Sequence, residues 1–129
     1  MQYSDIIQNV KSAANIDSDE TAQKAIEATF RTLKERIIGD EASNLAAQLP
    51  EEVAQHLRGR EGKNGDHFPI EEFYERVAKL ENTDPSTAAM HVRGVFTVLN
   101  SAVSAGEMNN IRNDLSDDYQ ELLPVAAAK

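Results

Sequence analysis

The sequence predicts an all-α protein made of two tandem, pseudo-symmetric four-helix repeats packed as one helical domain. Three observations predict it. The stretch from Tyr3 to Leu57 can be laid over that from Ile70 to Leu123 almost without gaps. Apolar residues recur at steps of three and four through both stretches, as on one face of a helix. No segment alternates with period two over enough residues to make a strand.

The alignment sets the boundaries: repeat 1 over about 3–57, a linker over 58–67 and repeat 2 over about 68–123 of the 129 residues. Val10 falls on Val77 at an offset of 67, and beyond Asn15–Asp19 the offset becomes 66. Ala22 then meets Ala88, Phe30 meets Phe96, Leu33 meets Leu99, Glu41 meets Glu107 and Leu57 meets Leu123. Matching positions in a repeat are expected to share burial. Each half is near the size at which a lone core becomes marginal, so the two are expected to share one.

Each element follows from this pattern. Tyr3, Ile6, Val10 and Ala13 form the stripe of a first helix, matched by Ile70, Phe73, Val77 and Leu80. The long second helix carries Ala22, Ala25, Ile26, Thr29, Phe30, Leu33 and Ile37, matched by Ala88, His91, Val92, Val95, Phe96, Leu99 and Val103. Asp17 and Glu20 read as a capping box, and Asp84-Pro85 as an N-cap with proline at the first helical position. Gly39 and Gly106 read as left-handed residues just past the two helix ends. Third helices carry Ala42, Leu45 and Leu49, matched by Met108, Ile111 and Leu115. Fourth helices carry Val53, His56 and Leu57, matched by Tyr119, Leu122 and Leu123, with Pro50 and Ser116 at their starts. Gly59–His67 holds three glycines and no apolar side chain, and reads as a surface linker. The tail 126–129 is expected to fray.

Composition excludes several classes of function. The net charge is −9. Residues 1–57 carry 5 basic and 10 acidic side chains, and residues 68–123 carry 4 and 10. Only the connector 58–67 is slightly basic, with 3 against 2. Such a surface repels duplex nucleic acid and anionic bilayers, so neither is an expected partner. No run approaches the ~18 apolar residues of a membrane span. Cysteine is absent, which removes disulfides, thiolate metal sites and a thiol nucleophile. Met1–Asp5 shows no basic segment leading into an apolar stretch, so a cytoplasmic location is expected.

Phe73-Tyr74-Glu75-Arg76-Val77, Phe30 to Leu33, Asp40-Glu41 and Gln48-Leu49-Pro50-Glu51-Glu52 form an ordered, duplicated set of motifs. In this the chain resembles the bacterial and archaeal helical proteins grouped as domain-of-unknown-function family 2267, over about residues 3–123. The resemblance implies an all-helical fold and no transferable activity. The connector departs from the family pattern, which carries an aromatic, often Trp, soon after the first repeat. This chain has Gly59-Arg60-Glu61-Gly62 there.

The side chains that carry chemistry are few. His91 and His56 align with Ala25 and Leu122, which places both at the edge of the core. His67 stands beside Asp66 and ahead of Glu71 and Glu72, short of the three or four fixed ligands a metal needs. Glu51-Glu52 and Asp117-Asp118 occupy first turns, where the helix dipole favours carboxylates. Glu41 and Glu107 have the same explanation. Asp17 to Thr21 opens like an EF-hand loop, but Ala22 and Ala28 replace the required Gly and Glu. Gly59 to Gly65 resembles a phosphate loop without its spacing or preceding strand. Its backbone amides with Arg58, Arg60, Lys63 and His67 form the candidate binding set, for an anion or a partner.

These residues supply no nucleophile–base set, cofactor loop or metal cluster, so no catalytic residue, cofactor or metal is assigned. The expected function is a non-enzymatic binding or scaffold module, holding a protein or small ligand between the repeats. The alternatives are a hydrolase-like or other enzyme that gathers carboxylates and a histidine at the repeat interface, and a self-associating regulatory adaptor.

Overall fold

Asparagine, not glycine, supplies the left-handed turn that ends the first helix of each half. In the computed structural model, which describes residues 1–123, α1 (Tyr3–Ala14) stops at Asn15 with φ 57°. Its counterpart α5 (Ile70–Glu81) stops at Asn82 with φ 58°. Asn tolerates this backbone region better than other residues with a Cβ. The turns lead into two helices of 18 residues, α2 (Asp19–Arg36) and α6 (Pro85–Ala102). Then come α3 (Gly39–Ala46), α4 (Glu51–Ala54), α7 (Ala105–Asp114) and a 3₁₀ helix (Asp117–Leu122). Among the described residues every regular element is helical. The bounds of α5 are those of α1 plus 67, and the bounds of α6 are those of α2 plus 66.

The first helix of each half packs on the second helix of the other: α1 lies against α6, and α5 against α2. A single buried cluster therefore runs through both halves, from Val10, Phe30 and Leu33 to Phe73, Phe96 and Tyr119. Phe73 sits at its centre. Its ring meets Phe96 edge-on at 6.3 Å and Tyr119 edge-on at 5.9 Å. Such geometry contributes about 0.5–1.5 kcal/mol per pair beyond burial. The α1–α6 approach is close because Gly94 has no side chain. A Cβ there would lie 2.5 Å from the Ala14 Cβ.

One charged side chain is sealed in this core. Arg36, at the end of α2, is 2% exposed. Its Nε donates to the Phe68 carbonyl (2.9 Å), its Nη2 donates to Ser116 Oγ (3.1 Å), and its guanidinium carbon lies 5.0 Å from the Tyr119 ring centroid. The Tyr119 hydroxyl donates to the same Phe68 carbonyl at 2.8 Å.

Several local expectations are corrected. The first-helix stripes step to Ala14 and Glu81, four residues after Val10 and Val77, while Ala13 and Leu80 face solvent. The N-cap of α2 is Ser18, one residue beyond Asp17, and its Oγ accepts from the Thr21 amide at 3.1 Å. Asp84 caps α6 as expected, accepting from the Thr87 amide at 2.8 Å. Gly39 and Gly106 lie inside α3 and α7, and the preceding long helices close on extended Ile37 and Val103. Gly39 is small for a different reason: a Cβ there would lie 1.6 Å from the Arg60 carbonyl oxygen. The fourth elements are one turn of α-helix and a 3₁₀ helix, and Ser116 precedes the latter without making a side-chain cap.

The linker has no regular structure but is pinned to the ends of α2 and α3. Gly39 N donates to Lys63 O (2.9 Å), Asp66 N to Glu35 O (2.8 Å) and Gly62 N to Asp40 Oδ1 (2.8 Å). The tail 126–129 lies outside the described residues.

Candidate functional site

The two turns that end α1 and α5 face a common cleft of about 440 Å³. From the first half come Asn15, Ile16, Asp17, Ser18, Thr21 and Lys24. From the second come Glu81, Asn82, Thr83, Thr87 and His91. The volume falls in the range of small-molecule sites, about 300–1,000 Å³. Its lining is mainly amide, hydroxyl and charged.

Glu81 and His91 are the chemical centre of the cleft. Glu81 is the last residue of α5, and its position one turn beyond Val77 turns it towards the core. His91 is the seventh residue of α6 and faces α5. The His91 Nδ1 and Glu81 Oε2 are 2.8 Å apart, with the two side chains 12% and 4% exposed. Burial pushes the Glu81 carboxyl above its ordinary value, and the His91 contact opposes that shift. The second oxygen, Oε1, is sealed without a hydrogen-bond partner. An unpaired buried acceptor of this kind costs about 1–3 kcal/mol. The aligned positions in the first half are Ala14 and Ala25, both buried.

In the tautomer that donates from Nδ1 to Glu81, His91 presents Nε2 as an acceptor. Among the described residues no protein atom hydrogen-bonds Nε2, and it is not sealed from solvent. At the neighbouring helix N-termini Ser18 and Asp84 each take one amide, those of Thr21 and Thr87.

The connector residues read from the sequence lie elsewhere. Arg58 pairs with Glu51, Nη1 to Oε2 at 2.8 Å, and this hydrogen bond holds the Glu51 carboxyl below the usual range. Arg60 Nη2 donates to the Asn64 carbonyl at 2.9 Å. Lys63 and His67 are exposed. His56 is half-buried, and burial lowers its pKa. Glu107, in the first turn of α7, is 7% exposed, and burial with nearby Glu41 pushes its carboxyl up. Its place in the first turn agrees with the dipole argument, but its burial was not legible from that argument.

Glu81 was missed because Leu80, one residue earlier, offered an apolar side chain for the stripe. The signal lay in the alignment of the two stretches: Glu81 falls on a buried alanine, as His91 does. Among the described residues no group of three or more His, Cys, Asp or Glu is placed to hold a metal. No helix among them is long and apolar enough to cross a membrane.

Among the described residues, cross-packed helices and a polar cleft lined from both halves define an all-helical protein whose cleft holds an acid–imidazole pair. The chain belongs to the family described as uncharacterized conserved protein (DUF2267), whose model matches residues 3–122. No curated protein matches it.

Proposed function

We propose that the protein is a cytoplasmic, non-enzymatic binding module that holds a small polar molecule in the cleft between its two repeats. The observation that carries this reading is the Glu81–His91 pair, set among polar residues from both halves, with His91 Nε2 open to the cleft and without a protein partner among the described residues. A bound molecule would hydrogen-bond Nε2 and the amide and hydroxyl side chains around it. A thermal-shift screen of polar metabolites tests it, followed by amide NMR titration of each hit. Binding should move the resonances of Asn15, Thr83, Thr87 and His91 together. A screen whose hits perturb none of them refutes the assignment.

The same pair favours a second reading, a proton-transfer enzyme. A carboxylate that orients an imidazole and leaves Nε2 open is a general acid–base arrangement. Turnover of a cleft ligand that is lost in His91→Gln while binding is retained would select it over the module. The connector set of Arg58, Arg60, Lys63 and His67 is, in our reading, a secondary anion or partner contact. Its charge is partly met by Glu51 and the Asn64 carbonyl.

A further inference from the structure

We propose that Asn64-Gly65, in the connector, is a self-modifying site, where asparagine converts to aspartate and isoaspartate and the isoaspartate frees the connector from the end of α2. The reaction needs an asparagine side chain that can turn back onto the next backbone nitrogen. It also needs a following residue that does not obstruct the approach, and glycine, without a Cβ, obstructs it least. Of the nine asparagines, Asn64 alone precedes a glycine. Six of the others lie within helices, where the hydrogen-bonded ladder fixes the backbone. Asn15 and Asn82 precede the branched side chains of Ile16 and Thr83.

Both reacting groups are open. Asn64 is exposed and outside regular structure, and its side chain has no hydrogen-bond partner among the described residues. The Gly65 amide has none there either. The backbone anchors stand on either side of it, Gly39 N donating to Lys63 O and Asp66 N to Glu35 O. Arg60 Nη2 donates to the Asn64 carbonyl at 2.9 Å. A cation on that oxygen favours the deprotonated form of the Gly65 amide, which is the nucleophile. The fold itself keeps glycine at the second position. A Cβ at Gly65 would lie 2.3 Å from Arg36 O and 2.7 Å from the Ile37 carbonyl carbon.

The chemistry balances with water as its only co-reactant. The Gly65 nitrogen attacks Asn64 Cγ and the N–Cγ bond forms. The Cγ–Nδ2 bond breaks, and the amide group leaves as ammonia with the proton that Gly65 gave up. Water opens the resulting cyclic imide at one of its two carbonyls. Opening at Cγ restores the ordinary chain as aspartate. Opening at the main-chain carbonyl leaves the chain running through Cβ and Cγ, as isoaspartate. Either product adds a carboxylate, which takes residues 58–67 from 3 basic and 2 acidic side chains to 3 and 3. Isoaspartate also adds one methylene to the main chain between the anchors at Lys63 O and Asp66 N, whose spacing fits the shorter chain.

Ageing the full chain in mildly alkaline buffer tests this, read by peptide mass mapping and amide hydrogen exchange. Asn64 should gain about 1 Da at least about tenfold faster than any other asparagine, and faster still as pH rises. An endoproteinase that cuts before aspartate but not before isoaspartate tells the two products apart. In the isolated isoaspartate form the Gly39 and Asp66 amides should exchange at least about tenfold faster than in the parent. Asn64→Asp, which adds the charge without the methylene, should keep both slow. Asn64 staying intact while the urea-unfolded chain converts it would overturn the site, as would any other asparagine converting first. Unchanged exchange of both amides in the isoaspartate form would overturn the release of the connector.

Discussion

Replacing Arg36 separates what its charge does from what its bulk does. The guanidinium makes two hydrogen bonds, to the Phe68 carbonyl and to Ser116 Oγ, and leaves Nη1 buried without a partner. Hydrogen bonds to a charged group contribute about 1.5–3 kcal/mol each. Burying the cation costs several kcal/mol, and the free Nη1 adds to that cost. Removal strands little. The Phe68 carbonyl keeps the Tyr119 hydroxyl at 2.8 Å, and Ser116 and Asp118 are exposed to water. The opposing contributions nearly cancel, so Arg36→Met, which keeps the volume between Phe68 and Tyr119, should stay within about 1 kcal/mol of the parent. Arg36→Ala empties that volume and should cost about 2–5 kcal/mol, as other large-to-small core changes do. Urea melts with equal slopes would measure both. Equal losses above about 3 kcal/mol in the two variants would refute the reasoning, because the hydrogen bonds of the cation would then outweigh its desolvation.

Phe30→Ala and Phe96→Ala should each cost about 3–5 kcal/mol in denaturant melts, since both side chains are buried and Phe96 packs edge-on to Phe73. Losses under about 1 kcal/mol for both would contradict a shared core. The raised carboxyl of Glu81 means that the folded chain holds this proton more tightly than the unfolded chain does. Its stabilising contribution is therefore complete below the unfolded value of about 4.3 and is lost as pH rises through the folded value. The melting temperature of Glu81→Gln relative to the parent should accordingly climb as pH rises above about 4.3, and a flat or falling difference would refute the raised carboxyl. His67 is exposed, so His67→Ala should shift stability by less than ~0.5 kcal/mol and EDTA should leave the melting temperature unchanged. An EDTA-dependent drop that is reversed by one metal and abolished in His67→Ala would move the connector to the centre of the function.

Helix number, order and class were legible because they rest on long periodic segments. Phe30 and Phe96 were placed in the core by period and by alignment at once, and both are buried. Helix ends were less legible, since several residue types can perform each capping job. Ser18 displaced Asp17 as the cap of α2, and Asn15 and Asn82 took the left-handed positions. The glycines have other work. Gly39 makes room for the Arg60 carbonyl and Gly94 for Ala14. Those are contacts between segments far apart in sequence, which no local pattern records.

The candidate site was legible only as a set of mismatches. Where the two aligned stretches agree, a residue is explained by burial: Phe30 with Phe96, Leu33 with Leu99, Val10 with Val77. Where they disagree at a buried position, packing alone no longer explains the choice. Besides Thr29 and Thr32, opposite Val95 and Val98, three such places carry titratable or charged side chains. Glu81 and His91 stand opposite Ala14 and Ala25, and Arg36 stands opposite Ala102. The alanines show that the shared architecture does not demand a polar side chain at these positions. Arg36 meets most of its hydrogen-bonding needs inside the protein, from Phe68 and Ser116, which marks it as a tie between the halves. Glu81 and His91 hydrogen-bond only each other and line a cleft, with His91 Nε2 open to it. A polar pair that the fold does not require, and that opens onto a cleft as Arg36 does not, fits a partner from outside the chain.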